Sequence, residues 1–204
     1  MDVVSPQSPT TTDGKEPEGG ERFDPARDLR TARAAAARDH AVLRALLARL
    51  TPRLRSAAWN LGGAGQDPQD LVQEALLRIT SADVLARYRA EGPLDGFLLA
   101  VGVRTMISAT RRGRTDRERS FLTGDPEVHA GGHDDPGAAG LSAAMRRALL
   151  TLPERARAVV LLVAVGDLGY ADVATALGME VGTVKSTYSR ARSTLRAALA
   201  DQPA

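Results

Sequence analysis

Six polar side chains near the C-terminus, Thr183, Lys185, Ser186, Ser189, Arg190 and Arg192, fall within ten residues that hold no acidic group. Hydroxyl and cationic donors on or near one short helix suit a polyanion: such a helix can enter a DNA major groove, with phosphate ligands toward its far end. Signatures of other chemistry are missing. The chain has no GxxxxGK[ST] phosphate loop, no HExxH, no GxSxG and no cysteine, which argues against a hydrolase or a nucleotide-using enzyme and against a Cys-based zinc site. His129 and His133 stand four apart with Asp134 and Asp135 after them, a spacing that suggests a metal. They sit in a Gly-rich stretch with no sign of a fixed helix, so a solvated loop is the reading, with no metal and no cofactor.

The polar set needs a scaffold, and the stretch Tyr170 to Arg196 supplies one. Val173, Ala174 and Leu177 mark a short helix by three- and four-residue spacing, and Val181, Val184 and Tyr188 mark a second. Gly178, between them, can adopt the positive φ that closes a helix, so the pair reads as helix, tight turn, helix. Two amphipathic helices joined at a glycine also occur in many all-α cores, and this stretch alone does not separate the two readings. Behind it, Glu154 to Val165 predicts a strongly apolar helix entered at Pro153 and broken by Gly166 and Gly169, and the last helix continues through Leu195 and Leu199.

A second set of polar residues lies upstream. The run Asp70 to Ile79, DLVQEALLRI, places Leu71, Ala75 and Ile79 along one stripe and leaves Asp70, Gln73, Glu74 and Arg78 on other faces. Asp67 predicts its N-cap, with Pro68 in the first turn. An ordinary amphipathic helix with a solvated side would look the same. Before it, Leu43, Leu46, Leu47 and Leu50 predict one helix, and Pro52 is expected to begin another that carries Leu54, Ala57, Ala58 and Leu61 and ends at Gly62, Gly63 and Gly65. After it, Gly92 and Pro93 precede an apolar helix from Leu94 to Ile107, which runs into RRGRTDRER, five arginines against Asp116 and Glu118. Such charge runs are commonly solvated helix ends.

Composition frames these elements. The 204 residues are 43% apolar but only 3% aromatic, so cores must be built from Leu, Val and Ala, which favours helices. Residues 1–24 hold six acids against Lys15 and Arg22, a balance of −4, and show almost no apolar periodicity; the remaining 180 residues carry about +6, which gives the net +2. From Thr123 to Gly140 the chain is Gly, Asp, Pro and His without periodicity, too long for an ordinary connection of about four to six residues inside one domain. The expected fold is all-α: two small helical domains joined by a flexible linker, the C-terminal one a helix-turn-helix domain. The boundaries are a disordered acidic leader at 1–27, a helical domain at 28–119, a linker at 120–140 and the helix-turn-helix domain at 141–204. No apolar run approaches the roughly eighteen residues of a membrane span, and no secretory signal pattern opens the chain, so a cytoplasmic location is expected.

Two of these stretches resemble one family, in that family's order. DLVQEALLRI is similar to the segment by which bacterial RNA polymerase sigma factors grip the core enzyme, and the stretch from Leu152 to Arg196 resembles their C-terminal DNA-binding domain. With no room for an intervening domain, the likeness is to the extracytoplasmic-function type, over about residues 40–112 and 141–199. The resemblance implies that Asp70, Leu71, Gln73, Glu74 and Arg78 serve core-polymerase binding. It implies that Leu94 to Arg112 recognises and opens the promoter element nearest the start site, where unstacked bases are captured beside a cationic channel, with Phe97, Arg104, Arg111, Arg112 and Arg114 as DNA-binding residues. Thr183, Lys185, Ser186, Ser189, Arg190 and Arg192 fall on or near the helix that reads the upstream element. An anti-sigma protein is a further implied partner.

The sequence departs from the family pattern in places. A tryptophan is usual at Phe97, an asparagine at Arg104, an acid at Ser108, an aromatic at Thr80 and an arginine at Thr187. The first four bear on promoter opening, and Thr187 on base readout, where one bidentate arginine contact is worth about 1–3 kcal/mol of discrimination. The alternative is a stand-alone helix-turn-helix transcriptional regulator, which leaves the DLVQE helix without a task.

Overall fold

Asp24 opens the first helix. Its carboxylate accepts from the amides of Ala26 and Arg27 at 3.0 and 3.1 Å, and Pro25 occupies the first turn, so α1 (Pro25–Ala36) begins three residues inside the expected leader. The computed structural model describes residues 23–61, 67–123 and 143–200, and among the described residues every regular element is helical. Most of the leader, the glycines after Leu61, the two linker histidines and residues 124–140 of the linker lie outside the described residues.

Helix α2 (His40–Leu61) corrects the expected break at Pro52, since one 22-residue helix passes through the proline. An interior proline removes one backbone bond and costs about 3 kcal/mol. Leu46 and Leu50 before it, and Leu54, Ala57, Ala58 and Leu61 after it, are all buried, and each leucine contributes about 1.5–3 kcal/mol, so the helix stays whole.

Helix α3 (Pro68–Ile79) is capped as expected, Asp67 accepting from the Gln69 amide at 2.8 Å, and it buries Leu71, Ala75 and Ile79. A short turn, α4 (Ala82–Leu85), leads to α5 (Leu94–Thr123), whose 30 residues continue through the arginine run and three residues past the expected start of the linker. Packed together, α2, α3 and α5 form the first unit, with α1 and α4 at its side. The closest approach is at Gly102, where a Cβ would lie 2.6 Å from Leu54 Cδ2 and 3.6 Å from both Ala75 and Ile79. Gly102→Val is therefore expected to overpack this crossing and destabilise the protein by about 1–3 kcal/mol, read as a lower urea midpoint.

Asp28 fixes where α5 starts. Its carboxylate accepts from the Leu94 amide at 2.8 Å and from the Tyr88 hydroxyl at 3.2 Å, while Tyr88 donates also to the Gly92 carbonyl at 2.7 Å. Burial, and then the Asp28 carboxylate, push the Tyr88 hydroxyl well above its ordinary range, so it remains a donor. Asp28→Ala leaves the Leu94 amide without its acceptor, while the Tyr88 hydroxyl keeps the Gly92 carbonyl, and is expected to cost about 1–3 kcal/mol in chemical denaturation.

The second unit comprises α6 (Ala143–Thr151), α7 (Glu154–Val160) continued by a π-helical turn (Leu161–Val165), α8 (Tyr170–Leu177) and α9 (Val181–Ala200). Arg157 ties its first corner: Nε donates to the Leu149 carbonyl at 3.1 Å, and Nη2 to those of Leu150 and Leu152 at 2.6 and 2.9 Å. The two units touch. Helix α5 packs against α7 and α8, and α2 against α6 and the π-helical turn.

Candidate nucleic-acid and partner interfaces

Gly178 adopts φ +62° and ψ +50°, and α8 ends there in the left-handed cap expected of it, with Val173, Ala174 and Leu177 buried. In α9 the buried stripe is Val184, Ala191 and Leu195, with Tyr188 half-buried beside it. Val181, expected on this seam, is 40% exposed instead. Opposite the stripe, Ser186, Ser189 and Arg190 point outward. Lys185 and Arg192 lie on one shoulder and Thr183 on the other, all exposed, so the six residues form one continuous polar surface. Thr187 is half-buried at the edge of this surface.

Two aromatic rings steady the shoulder cations. Tyr170 of α8 and Tyr188 of α9 meet at 5.8 Å between centroids, tilted by 58°. Lys185 Nζ stands 5.8 Å from the Tyr170 ring, and the Arg192 guanidinium 5.8 Å from that of Tyr188. Reading Tyr188 only as a core residue missed this pairing, although its four-residue distance from Arg192 was visible. Arg190 Nε donates to the Ser186 carbonyl at 3.3 Å, which holds the guanidinium along the outer face.

On α3, Asp70, Gln73 and Arg78 are exposed and Glu74 is half-exposed, while Leu71 is buried in the first unit. Leu71 therefore anchors the helix rather than meeting a partner directly. Leu77 was not expected at this face, yet it is 68% exposed; it falls off the Leu71, Ala75, Ile79 stripe, and that offset was the signal in the sequence. Arg78 pairs with Asp83 at 3.1 Å, and hydrogen bonding from Ser81, followed by the Arg78 charge, holds the Asp83 carboxyl below its ordinary range.

Helix α5 brings Phe97, Arg104, Ser108 and Arg111 to one face by spacings of seven, four and three residues. The half-buried Phe97 ring lies 5.5 Å from Tyr88 and lines a cavity of about 140 Å³ together with Asp172 and Thr175 of α8. Burial there raises the Asp172 carboxyl above its usual range. Arg104 and Ser108 line a second cleft opposite Glu154 and Leu177, and Arg111 pairs with Glu154 at 3.5 Å. Arg112 turns the other way and pairs with Glu74 on α3, a link between two expected sites that sequence spacing did not reveal. Arg114 lies on α5, with its side chain outside the described residues.

The geometry thus defines a helix-turn-helix protein with a second helical unit bearing a mixed-charge outer face. Residues 46–115 match the family described as Sigma-70 region 2, and residues 142–195 match Sigma-70, region 4. The chain is 33% identical over 150 residues to the ECF RNA polymerase sigma factor EcfG of Rhodopseudomonas palustris, an alignment covering 72% of this chain and 80% of that protein. It is 30% identical over 155 residues to the ECF RNA polymerase sigma factor SigE of Mycolicibacterium smegmatis, covering 72% of this chain and 58% of the relative. Among solved structures, the sigma factor RpoE in complex with the anti-sigma factor NepR from Bartonella quintana aligns with a TM-score of 0.55 and 25% identity, over 77% of this chain and 96% of that one. CnrH in complex with the cytosolic domain of CnrY shares the fold, with a TM-score of 0.59 and 24% identity, over 86% of this chain and 99% of that one. The chain belongs to the sigma-70 family, in its extracytoplasmic-function class of RNA polymerase sigma factors.

Proposed function

We propose that the protein binds core RNA polymerase through the outer face of α3, brings it to a two-part promoter and helps open the duplex, with no covalent chemistry of its own. The observation that carries this reading is the pairing, on one chain, of an exposed mixed-charge helix face with a separate helix-turn-helix whose outer face is cationic. Asp70, Gln73, Glu74, Leu77 and Arg78 give the first surface both charge signs around one apolar side chain, a composition suited to a specific protein contact. Thr183, Lys185, Ser186, Ser189, Arg190 and Arg192 read the upstream element, and the α5 face from Phe97 to Arg111 captures bases of the element near the start site.

None of the described helices is long and apolar enough to cross a membrane, and among the described residues no group of three or more His, Cys, Asp or Glu is placed to hold a metal. The protein acts in the cytoplasm, where its target polymerase resides. An anti-sigma partner of the kind bound to the Bartonella quintana protein would hold it inactive. Run-off transcription with purified bacterial core polymerase on a cognate promoter tests the whole reading. A promoter-dependent transcript and co-elution with core are expected; specific DNA binding by the chain alone, with no association with core, would instead establish a stand-alone regulator.

A further inference from the structure

The corner between α1 and α2 carries charge of one sign. From Pro25 to Arg55 the chain holds eight arginines and His40 against only Asp28 and Asp39. Both acids are turned to backbone amides: Asp28 accepts from Leu94, and Asp39 caps α2 by accepting from Ala41 and Val42 at 2.9 and 3.1 Å. Arg30, Arg33, Arg38, His40 and Arg44 are exposed. Three of these cations, Arg38, His40 and Arg44, line an open hollow together with the half-buried Leu43 and Leu47 and with Thr80, the C-cap of α3. No acidic side chain of the described residues lines it.

Arg38 is held at this hollow against its own conformational preference. Its φ is +65°, and the amides of Arg38 and Asp39 close the end of α1 by donating to the Ala35 and Ala34 carbonyls, both at 3.0 Å, a pattern that glycine usually completes. An arginine in this left-handed region is less stable than a glycine, and in return it sets a guanidinium at the hollow. Directly before the corner in the chain lies a segment of opposite sign. Residues 1–22 hold Asp2, Asp13, Glu16, Glu18 and Glu21 against Lys15 and Arg22, and the chain then enters α1. At 1.5 Å per residue α1 is about 18 Å long, so the hollow at its far end lies well within the roughly 70 Å that 22 extended residues span. A segment tethered so closely has an effective concentration of about 1 mM, and a contact with a dissociation constant near that value is already half occupied.

We propose that the acidic leader docks on this cationic hollow of its own chain and there competes with core polymerase. The competition rests on the sigma reading of α3. Asp70, Gln73, Leu77 and Thr80 follow one another along one face of that helix at spacings of three, four and three, so the hollow begins where the core-binding face ends. Leader carboxylates paired with Arg38, His40 and Arg44 cover the Thr80 end of that face. Exposed pairs of this kind are screened by salt, which makes the docking reversible.

Because the chain has no cysteine, Thr12→Cys gives a single attachment point for a nitroxide beside Asp13. In the full-length labelled protein the amide NMR signals of residues 38–47 and of Thr80 should lose more than half their intensity relative to the reduced label, and those of α9 none. Salt at about 0.5 M should restore them. Arg38→Gly, which suits the backbone and removes the cation, should weaken the broadening at no loss of thermal midpoint. In the full chain, Glu16→Lys, Glu18→Lys and Glu21→Lys together should abolish the broadening and raise affinity for purified core polymerase by about twofold or more. Broadening that is absent, unmoved by salt or centred on α5 or α9 overturns the docking. So does a hollow whose signals respond to added duplex DNA and not to the leader label, which assigns the cations to phosphate. Loss of broadening with unchanged core affinity overturns the competition. Failure of the parent protein and of every variant to bind core would instead overturn the sigma reading, while the spin label still decides the docking.

Discussion

Glu74→Arg is expected to weaken core-polymerase binding by more than about tenfold while leaving the helical fold intact, because it places a cation at the centre of a face arranged for a partner of matching charge. The substitution has two consequences, and they can be separated. Glu74 pairs with Arg112 across α3 and α5, with both side chains about half exposed, so losing that pair costs about 0–1 kcal/mol of stability. A swap of the two charges, Glu74→Arg with Arg112→Glu, restores the intrachain pair. If co-elution with core polymerase stays low in the swap while thermal stability recovers, Glu74 meets the partner directly. Recovery of both would assign Glu74 to holding α3 against α5, and the α3 face would lose its main anion as a contact.

The second large effect concerns α9. Lys185→Ala combined with Arg190→Ala removes two cations from its outer surface and is expected to lower affinity for the upstream element by about tenfold or more. The salt dependence is the sharper readout: two lost phosphate contacts reduce the slope of log K against log salt by about 1.8. Neither residue supports the core of the unit, since both are exposed and their partners are the Tyr170 ring and the Ser186 carbonyl. Core binding by this variant should match the parent protein. An unchanged slope measured with holoenzyme on promoter DNA would move the phosphate contacts off α9.

These residues also show which parts of the structure could be read in advance. The cap at Asp67, the stripe of Leu71, Ala75 and Ile79 and the turn at Gly178 were legible because each is decided by neighbours a few residues away. Pro52 misled for the same reason: the local rule predicts a break, and burial on both sides of the proline overrides it. The Asp28 cap on Leu94 spans 66 residues and has no local mark. The same holds for the Glu74–Arg112 pair and for the second unit resting on α5, each set by how helices cross rather than by any repeat in the chain. For the sites, the shared exposed surface of the α9 set was legible from residue type and spacing, whereas the roles proposed for Phe97 and Arg104 rest on resemblance. Leu77 was visible as an apolar residue out of register and was passed over.

The Arg157 fork bears on how the second unit comes into being. Its three acceptors lie between five and eight residues away, so the loop it closes is short and the entropy of closing it is small. The carbonyl end of α6 can be satisfied as soon as the first turn of α7 has formed, without waiting for α9. Contacts of this local kind favour rapid structure formation. The α6–α7 corner is thus expected to form early and α9, which packs on α6, α7 and α8, to dock later, so that in native-state hydrogen exchange or mutational folding kinetics Arg157→Ala should slow folding more than Leu195→Ala does.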